Sequence, residues 1–246
     1  MPVAADPRAR RRLAATLVLA SLFGGIAVAV STGRGELDLE VATWMAAHRT
    51  PGGTALVLGL AQLGSLVVVV PATVVVAGYL IARRRAWDAA WLAVATYGAA
   101  ILYTLTKIAL ARPRPGADLR ALVERGYSFP SGHATQASAF WLSAAVLVGL
   151  DRAPRTQRIL LALAGPLVAL PAASRVYLGV HWTLDVVGGL CLGTASCFAT
   201  LELRAAWSRR RSRVLDESVA RGWPGARTSR RRRRRSARGR SARRAS

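Results

Sequence analysis

The chain of 246 residues contains only two cysteines, three histidines and 12 acidic residues. Cys191 and Cys197 are six positions apart, which separates them by about 9 Å along one helix and excludes a disulfide between them. They are expected to pack as small apolar residues. Because 35 lysines and arginines oppose so few acids, the net charge is +23, although 52% of the residues are hydrophobic. A soluble globular domain does not combine these properties. The meaning of the charge therefore depends on where along the chain the basic residues lie.

Long uncharged stretches account for the hydrophobic content. A helix that crosses the hydrocarbon core of a membrane needs about 20 mostly apolar residues. Three stretches satisfy this length outright, and three more reach it when flanking residues are included. They are 13–33, 50–82, 89–106, 134–150, 159–174 and 186–201. The sequence therefore predicts an all-α polytopic membrane protein, a bundle of six transmembrane helices over 13–206.

The first stretch has a second interpretation. Arginines precede it at 8–12, and the Ala-Val-Ala sequence at 27–29 would suit a signal peptidase, so the segment could be a cleaved signal peptide. Its apolar run is long for a signal sequence, which favours a retained helix. The topology of the later helices is the same in both cases.

Basic residues outside the apolar stretches indicate an orientation. They occur at 8–12, 83–85 and 152–158 and again after 207, in segments that lie on one side of a six-helix arrangement. Since cytoplasmic segments carry an excess of Lys and Arg, we predict that the N-terminus at 1–12 and the C-terminus are cytoplasmic in the plasma membrane.

The C-terminal segment at 207–246 carries most of the net charge. Sixteen arginines lie between 209 and 246, with little that could form a core, which predicts a disordered tail. Such a tail is expected to bind the anionic inner leaflet. Nucleic-acid binding is the weaker interpretation, because aromatic residues do not alternate with the arginines.

The predicted outer side also contains cations, which the positive-inside pattern does not explain. Lys107, Arg114 and Arg175 lie at or beside helix ends, where extension toward lipid headgroups would explain any one of them alone. Three cations on one face, together with two histidines, indicate a shared anion instead. The first outer connection includes 37–47, which is either a short interfacial helix or a loop.

The segment from Ser174 to Asp185 combines a cation, a histidine and a carboxylate. His181 and Asp185 are four residues apart and therefore share one face of a helix. A carboxylate on Nδ1 of His181 would fix the tautomer and direct Nε2 outward as a nucleophile. The alternative is a structural His-Asp pair at the end of a membrane helix.

A second motif, Pro130-Ser131-Gly132-His133, is typical of a loop that ends where a helix begins. Ser131 is a suitable N-cap, and the free N–H groups of the first helical turn would face an incoming phosphate. His133 could then protonate a leaving oxygen and later activate water. A simple helix cap would explain Ser131 and Gly132 but gives His133 no role.

These motifs resemble those of the type 2 phosphatidic acid phosphatase family, whose pattern is Lys-x6-Arg-Pro, Pro-Ser-Gly-His and Ser-Arg-x5-His-x3-Asp. All three occur in order and with intact spacing. Only Arg114-Pro115 has six residues between it and Lys107, so Arg112 is placed at the rim of the site. The resemblance implies the catalytic residues His181, His133 and Asp185 and the phosphate-binding residues Lys107, Arg114, Ser131, Gly132 and Arg175.

The resemblance implies a membrane phosphatase that hydrolyses a lipid phosphate through a phosphohistidine on the extracytoplasmic face. It implies no metal and no other cofactor, so activity is expected to survive EDTA. Polyprenyl diphosphate, phosphatidate and phosphatidylglycerol phosphate are candidate substrates, and the high Ala and Arg usage, typical of a bacterial setting, favours recycling of a polyprenyl carrier. The alternatives are a vanadate haloperoxidase-like enzyme and a non-catalytic protein that binds or transports lipid phosphates.

Overall fold

The computed structural model describes residues 7–33 and 36–222, without the side chains of residues 8, 36, 37 and 215–222. The described residues form α-helices joined by loops and two short 3₁₀ turns, at Gln62–Gly64 and Ala117–Leu119, and contain no β-strand. The helices are α1 (Pro7–Ser31), α2 (Glu36–Ala47), α3 (Pro51–Ala61), α4 (Leu66–Ala82), α5 (Ala86–Leu110), α6 (Gly132–Gly149), α7 (Pro154–Tyr177) and α8 (Thr183–Gly222). The predicted all-α class is confirmed, and segment 37–47 is helical rather than a loop.

Four of the described helices, α1, α5, α7 and α8, are long and apolar enough to cross a membrane. A fifth candidate span is the pair α3 and α4, which is bent by 43° at a short break. These five elements coincide with five of the six predicted spans. Gly64 and Ser65 lie at the bend, where α3 passes through a 3₁₀ turn before α4 begins.

The sixth predicted span, 134–150, coincides with α6 but is not among the helices that qualify as membrane spans by length and hydropathy. The physical reason is its composition, because polar side chains lower its hydropathy. Thr135, Gln136, Ser138 and Ser143 are all buried in the structure. Helix α6 packs against α4, α5 and α7, so these side chains face other helices.

Two glycines of α8 allow close packing against α6. A Cβ atom at Gly189 would lie 2.6 Å from the carbonyl oxygen of Ser131, and one at Gly193 would lie 2.3 Å from that of Thr135. Because neither position has room for a side chain, the start of α6 rests directly on the backbone of α8. This contact fixes the Pro-Ser-Gly-His segment relative to the residues that follow His181.

The predicted disordered tail at 207–246 includes residues that are helical in the structure. Helix α8 continues without a break through 207–222, and Arg211 lies over the ring of Trp207 at 5.4 Å. Arginine is a good helix former, and adding residues to an existing helix avoids the cost of nucleation. The part of the predicted tail at 223–246 lies outside the described residues.

Candidate active site

The residues predicted to form the site come from four helix ends and the loops between them. Lys107 lies in the last turn of α5, and Ala111, in the left-handed conformation at φ 46°, ends that helix. The chain then crosses an irregular segment, 111–131, to reach the start of α6. Ala121 of this segment donates a backbone hydrogen bond to Leu178, 2.9 Å away, in the turn after α7. The segment is thereby attached to the turn that carries His181.

The Pro-Ser-Gly-His segment begins α6 as predicted. Ser131 is the N-cap, and its side-chain oxygen accepts a hydrogen bond from Ala134 N at 3.4 Å. The backbone N–H of Ser131 donates to the carbonyl oxygen of Asp185 at 2.9 Å. This hydrogen bond joins the start of α6 to the first turn of α8, so His133 and His181 are held on neighbouring elements.

His181 and Asp185 form the buried centre of the site. They are 1% and 0% exposed, and His181 Nδ1 lies 3.4 Å from Asp185 Oδ2. The same carboxylate oxygen accepts hydrogen bonds from Ser128 Oγ and from the backbone N–H of Trp182, the latter at 2.9 Å. Burial lowers the pKa of His181 to about 3, although the hydrogen bond and the charge of Asp185 oppose this shift. The imidazole is therefore neutral at physiological pH.

Arg114 faces the other nitrogen of this imidazole. Its Nη1 lies 3.1 Å from His181 Nε2 and donates to the carbonyl oxygen of Val180 at 2.7 Å. Its Nε donates to the carbonyl oxygen of Gly126 at 2.9 Å. Backbone carbonyls thus hold the guanidinium at the atom that the sequence predicts to be nucleophilic.

The other two cations are also held in place by the surrounding chain. Lys107 Nζ donates to the carbonyl oxygens of Tyr127 and Ser128, at 2.6 and 3.3 Å. Arg175 is 4% exposed, and its Nη2 forms an ion pair with Glu124. Its buried Nε has no hydrogen-bond partner among the described residues, so a donor remains available.

Glu124 joins two of the predicted phosphate ligands. One of its carboxylate oxygens pairs with Arg175, and the other lies 3.4 Å from Arg114 Nη2. A carboxylate bound by two guanidinium groups occupies the kind of position that a phosphate would take. Glu124 lies outside the three sequence motifs, which therefore did not indicate this role.

A cavity of about 270 Å³ adjoins these groups. Five of the predicted site residues are among those that line it: Lys107, Arg114, Gly132, His133 and His181. Asp185 lies behind His181, Ser131 caps α6, and Arg175 is connected to the cavity through Glu124. The wall also includes Ser65 at the bend between α3 and α4, as well as Tyr103 and Gln136.

The prediction that Arg112 lies at the rim is wrong. The side chain of Arg112 is only 11% exposed, and its Nη1 donates to Asp185 Oδ1 at 2.5 Å. Its Nη2 donates to Asp38 Oδ2 at 2.8 Å. In the Arg-Pro-Arg-Pro sequence both guanidinium groups turn inward, Arg114 to the imidazole and Arg112 to the carboxylate behind it. The sequence also gave no signal for Asp38 or Ser128, which lie outside the three motifs.

Metal ligands were not expected from the sequence. Within the described part of the chain, no group of three or more His, Cys, Asp or Glu side chains is placed to hold a metal ion.

Comparison with known proteins places the chain in a family. Residues 88–209 match the PAP2 superfamily. Phosphatidylglycerophosphatase B of Bacillus subtilis (strain 168) is 30% identical over 148 residues, which cover 59% of this chain and 72% of that protein. Decaprenylphosphoryl-5-phosphoribose phosphatase of Mycobacterium tuberculosis is 34% identical over 168 residues, 65% of this chain and 85% of that protein.

A solved structure shares the fold. The crystal structure of a transmembrane PAP2 type phosphatidylglycerolphosphate phosphatase from Bacillus subtilis superposes with a TM-score of 0.72 at 24% identity, covering 78% of this chain and 96% of that one. The chain belongs to the PAP2 superfamily, which confirms the resemblance found in its motifs. It is a multi-pass membrane protein and a phosphatase of the PAP2 type.

Proposed function

We propose that this protein hydrolyses a lipid phosphate on the extracytoplasmic face of the membrane, through a phosphohistidine formed on His181. The observation that carries the proposal is the environment of the imidazole. Nδ1 faces Asp185 Oδ2 at 3.4 Å, and Nε2 faces Arg114 Nη1 at 3.1 Å beside the cavity. A neutral imidazole in this arrangement has one nitrogen directed by a carboxylate and the other beside the cavity in which a phosphate would bind.

In the first step, Nε2 of His181 attacks phosphorus while the bond to the leaving oxygen breaks. Asp185 would stabilise the positive charge that develops on the imidazole. His133, which lines the same cavity, would donate the proton that the leaving oxygen takes. It would do so as an imidazolium, which the negative charge of the incoming phosphate stabilises against the neighbouring cations. In the second step, His133 would accept a proton from water as the water attacks the phosphohistidine, which releases inorganic phosphate and restores His181.

The three cations supply the electrostatic part of this scheme. Phosphoryl transfer relies mainly on positioning and on neutralising the charge of the equatorial oxygens. Arg114 and Lys107 are held at the cavity by backbone carbonyls, and Arg175 Nε has no hydrogen-bond partner within the described ranges. Gly132 adds a backbone N–H group at the start of α6, where the helix dipole favours an anion, and Ser131 caps the turn that presents it. The scheme uses no metal.

The membrane orientation rests on contacts at the opposite end of the helices. Arg85 Nη1 lies 2.9 Å from Asp151 Oδ2, and Arg12 forms an ion pair with Glu202. The first pair holds the turn at 83–85 next to the turn after α6, and the second holds the start of α1 next to α8. Each pair lies in a segment rich in arginine. By the positive-inside rule this end is cytoplasmic, and the site is extracytoplasmic. With α6 also counted as a span, the bundle has six.

The substrate class follows from the site and from the relatives. A phosphate site at a membrane helix end suits a lipid whose headgroup phosphate enters from the interface. The two relatives described above are named for phosphatidylglycerophosphate and for a decaprenyl-linked phosphoribose. We therefore propose a lipid phosphate with an acyl or polyprenyl chain, either a monophosphate or a diphosphate.

Phosphate release by the detergent-purified protein tests this proposal. The panel contains phosphatidylglycerol phosphate, phosphatidate and a polyprenyl diphosphate, each assayed with and without EDTA. We expect wild type to release phosphate from at least one lipid in the presence of EDTA, and His181→Ala to be inactive on all of them. Equal activity of the two proteins would overturn the assignment of His181. Loss of activity with EDTA that added Mg²⁺ restores would overturn the metal-free scheme.

A further inference from the structure

A chain of buried ionic contacts extends from His181 to helix α2. Arg112 bridges two carboxylates, with Nη1 2.5 Å from Asp185 Oδ1 and Nη2 2.8 Å from Asp38 Oδ2. The Asp38 side chain is 2% exposed, the Arg112 side chain 11% and the Asp185 side chain 0%. A buried charge without a partner is costly, so each member of this chain keeps the next one in a single position.

Asp38 holds two groups at once. Its Oδ2 accepts from Arg112, while its Oδ1 accepts from the backbone N–H of Leu184 at 3.0 Å. Leu184 directly precedes Asp185 in the first turn of α8, where the helix dipole also favours an anion. Asp38 therefore fixes both the guanidinium that binds Asp185 and the backbone that carries it.

We propose that Asp38 and Arg112 are positioning residues for the phosphatase reaction, and this rests on the proposed role of His181. Asp185 Oδ1 is occupied by Arg112, which orients the carboxylate so that Oδ2 faces Nδ1 of His181. Helix α2, in the first outer connection, thus contributes to the geometry of the nucleophile without touching the substrate.

Arg112 is not placed to bind the phosphate itself. Both of its terminal nitrogens contact carboxylates, and its guanidinium lies 5.6 Å from the ring of Trp182. It lines a separate cavity together with Asp38, Pro113 and Trp182, whereas Arg114 lines the cavity at His181. Replacing Arg112 should therefore change the rate of the chemical step rather than the binding of phosphate.

Steady-state kinetics of Asp38→Asn, Arg112→Gln, Arg112→Lys and the double variant D38N/R112Q test the proposal. The control is Asp88→Asn, because Asp88 is also a buried carboxylate paired with an arginine, Arg85, at the far end of the helices. For each variant we would measure kcat, KM, the inhibition constant of inorganic phosphate and Tm in detergent.

We expect Asp38→Asn and Arg112→Gln to lower kcat about 10- to 100-fold, by analogy with residues that orient a metal ligand, because they orient Asp185 in the same way. KM and phosphate inhibition should stay within twofold of wild type. Arg112→Lys keeps the charge but can contact only one carboxylate, so its kcat should be intermediate. The double variant should be no slower than Arg112→Gln, because both substitutions break the same chain of contacts. Asp88→Asn should keep the wild-type kcat.

Two results would overturn the proposal. If Arg112→Gln weakens phosphate inhibition and raises KM at constant kcat, Arg112 is a phosphate ligand. If both single variants lose Tm as Asp88→Asn does but retain kcat, the chain of contacts is only structural. His181→Ala, assayed alongside, separates the two proposals. If His181→Ala is active, the assignment of His181 as the nucleophile is overturned. If His181→Ala is inactive while Asp38→Asn and Arg112→Gln are fully active, only the positioning role is overturned.

Discussion

Arg114 Nη1 lies 3.1 Å from Nε2 of the buried His181, while the same nitrogen donates to the carbonyl oxygen of Val180 at 2.7 Å. The cation is therefore fixed beside the imidazole before any phosphate arrives. Such preorganisation is what makes electrostatic stabilisation effective, because little reorganisation is needed during the reaction. Burial keeps His181 neutral by lowering its pKa, and the neighbouring guanidinium of Arg114 acts in the same direction.

The first prediction concerns Glu124, whose carboxylate pairs with Arg175 and lies 3.4 Å from Arg114. A phosphate has to compete with this carboxylate for the two guanidinium groups. Glu124→Gln should therefore strengthen inhibition by inorganic phosphate by about 5-fold, which corresponds to about 1 kcal/mol for a partly exposed ion pair. The measurement is the inhibition constant of phosphate in the lipid assay.

Glu40→Gln is the matched control for Glu124→Gln. Glu40 is an exposed residue of α2, so its substitution makes the same change of charge outside the pair of guanidinium groups. We expect it to leave phosphate inhibition unchanged. Weaker inhibition in Glu124→Gln than in Glu40→Gln would show that the carboxylate supports phosphate binding instead of competing with it.

The second prediction concerns pH. Burial lowers the pKa of His181 to about 3, below its ordinary value of about 6.5. Between these two values the unfolded chain binds a proton at this position and the folded chain does not. The contribution of this group to the free energy of unfolding is therefore fully present above pH 6.5 and is lost as the pH falls toward 3.

Histidine NMR shifts in detergent follow this titration directly. The chain has three histidines, so comparison with His181→Gln assigns the signal of interest. We expect the His181 resonance to keep neutral-imidazole shifts from pH 8 to pH 5. A titration midpoint near 6.5 would mean that the imidazole is solvated and not held in the buried position described above.

The third prediction concerns the close contact between α8 and the start of α6. Gly189→Ala places a Cβ 2.6 Å from Ser131 O, and relieving such overpacking costs about 1–3 kcal/mol. Both Tm and phosphatase activity should fall, because the cap of α6 moves relative to Asp185. Gly78→Ala is the control, since a Cβ added at Gly78 in α4 would have no neighbour within 4 Å. That variant should not lower Tm; equal behaviour of the two would contradict the proposed packing role.

Motif spacing predicted which residues meet at the site, because Lys107, Arg114, His133 and His181 all belong to short patterns with fixed intervals. Spacing could not predict contacts between distant or irregular segments. Asp38 and Leu184 are 146 residues apart and belong to no shared pattern. Glu124 and Ser128 lie in a loop without periodicity, where side-chain direction cannot be derived from the sequence.

The prediction for Arg112 failed because it depended only on spacing. The spacing from Lys107 selects Arg114, but it does not show that both arginines of Arg-Pro-Arg-Pro turn inward. Hydropathy likewise identified the apolar helices and was least informative for α6, whose buried polar side chains face other helices. At the other end of the chain, arginine content favoured disorder after 207, although α8 extends to Gly222.

The most direct test of the account is the trapping of phosphate on His181. An aryl phosphate whose leaving group needs no proton lets the first step proceed in His133→Ala, while the loss of His133 slows hydrolysis of the intermediate. After a quench in base, which preserves phosphohistidine, mass spectrometry of the peptide that contains residue 181 locates the label. We predict one phosphate on His181 in His133→Ala and none in the double variant H133A/H181A. A label on another residue, or wild-type turnover that persists without His181, would contradict the account.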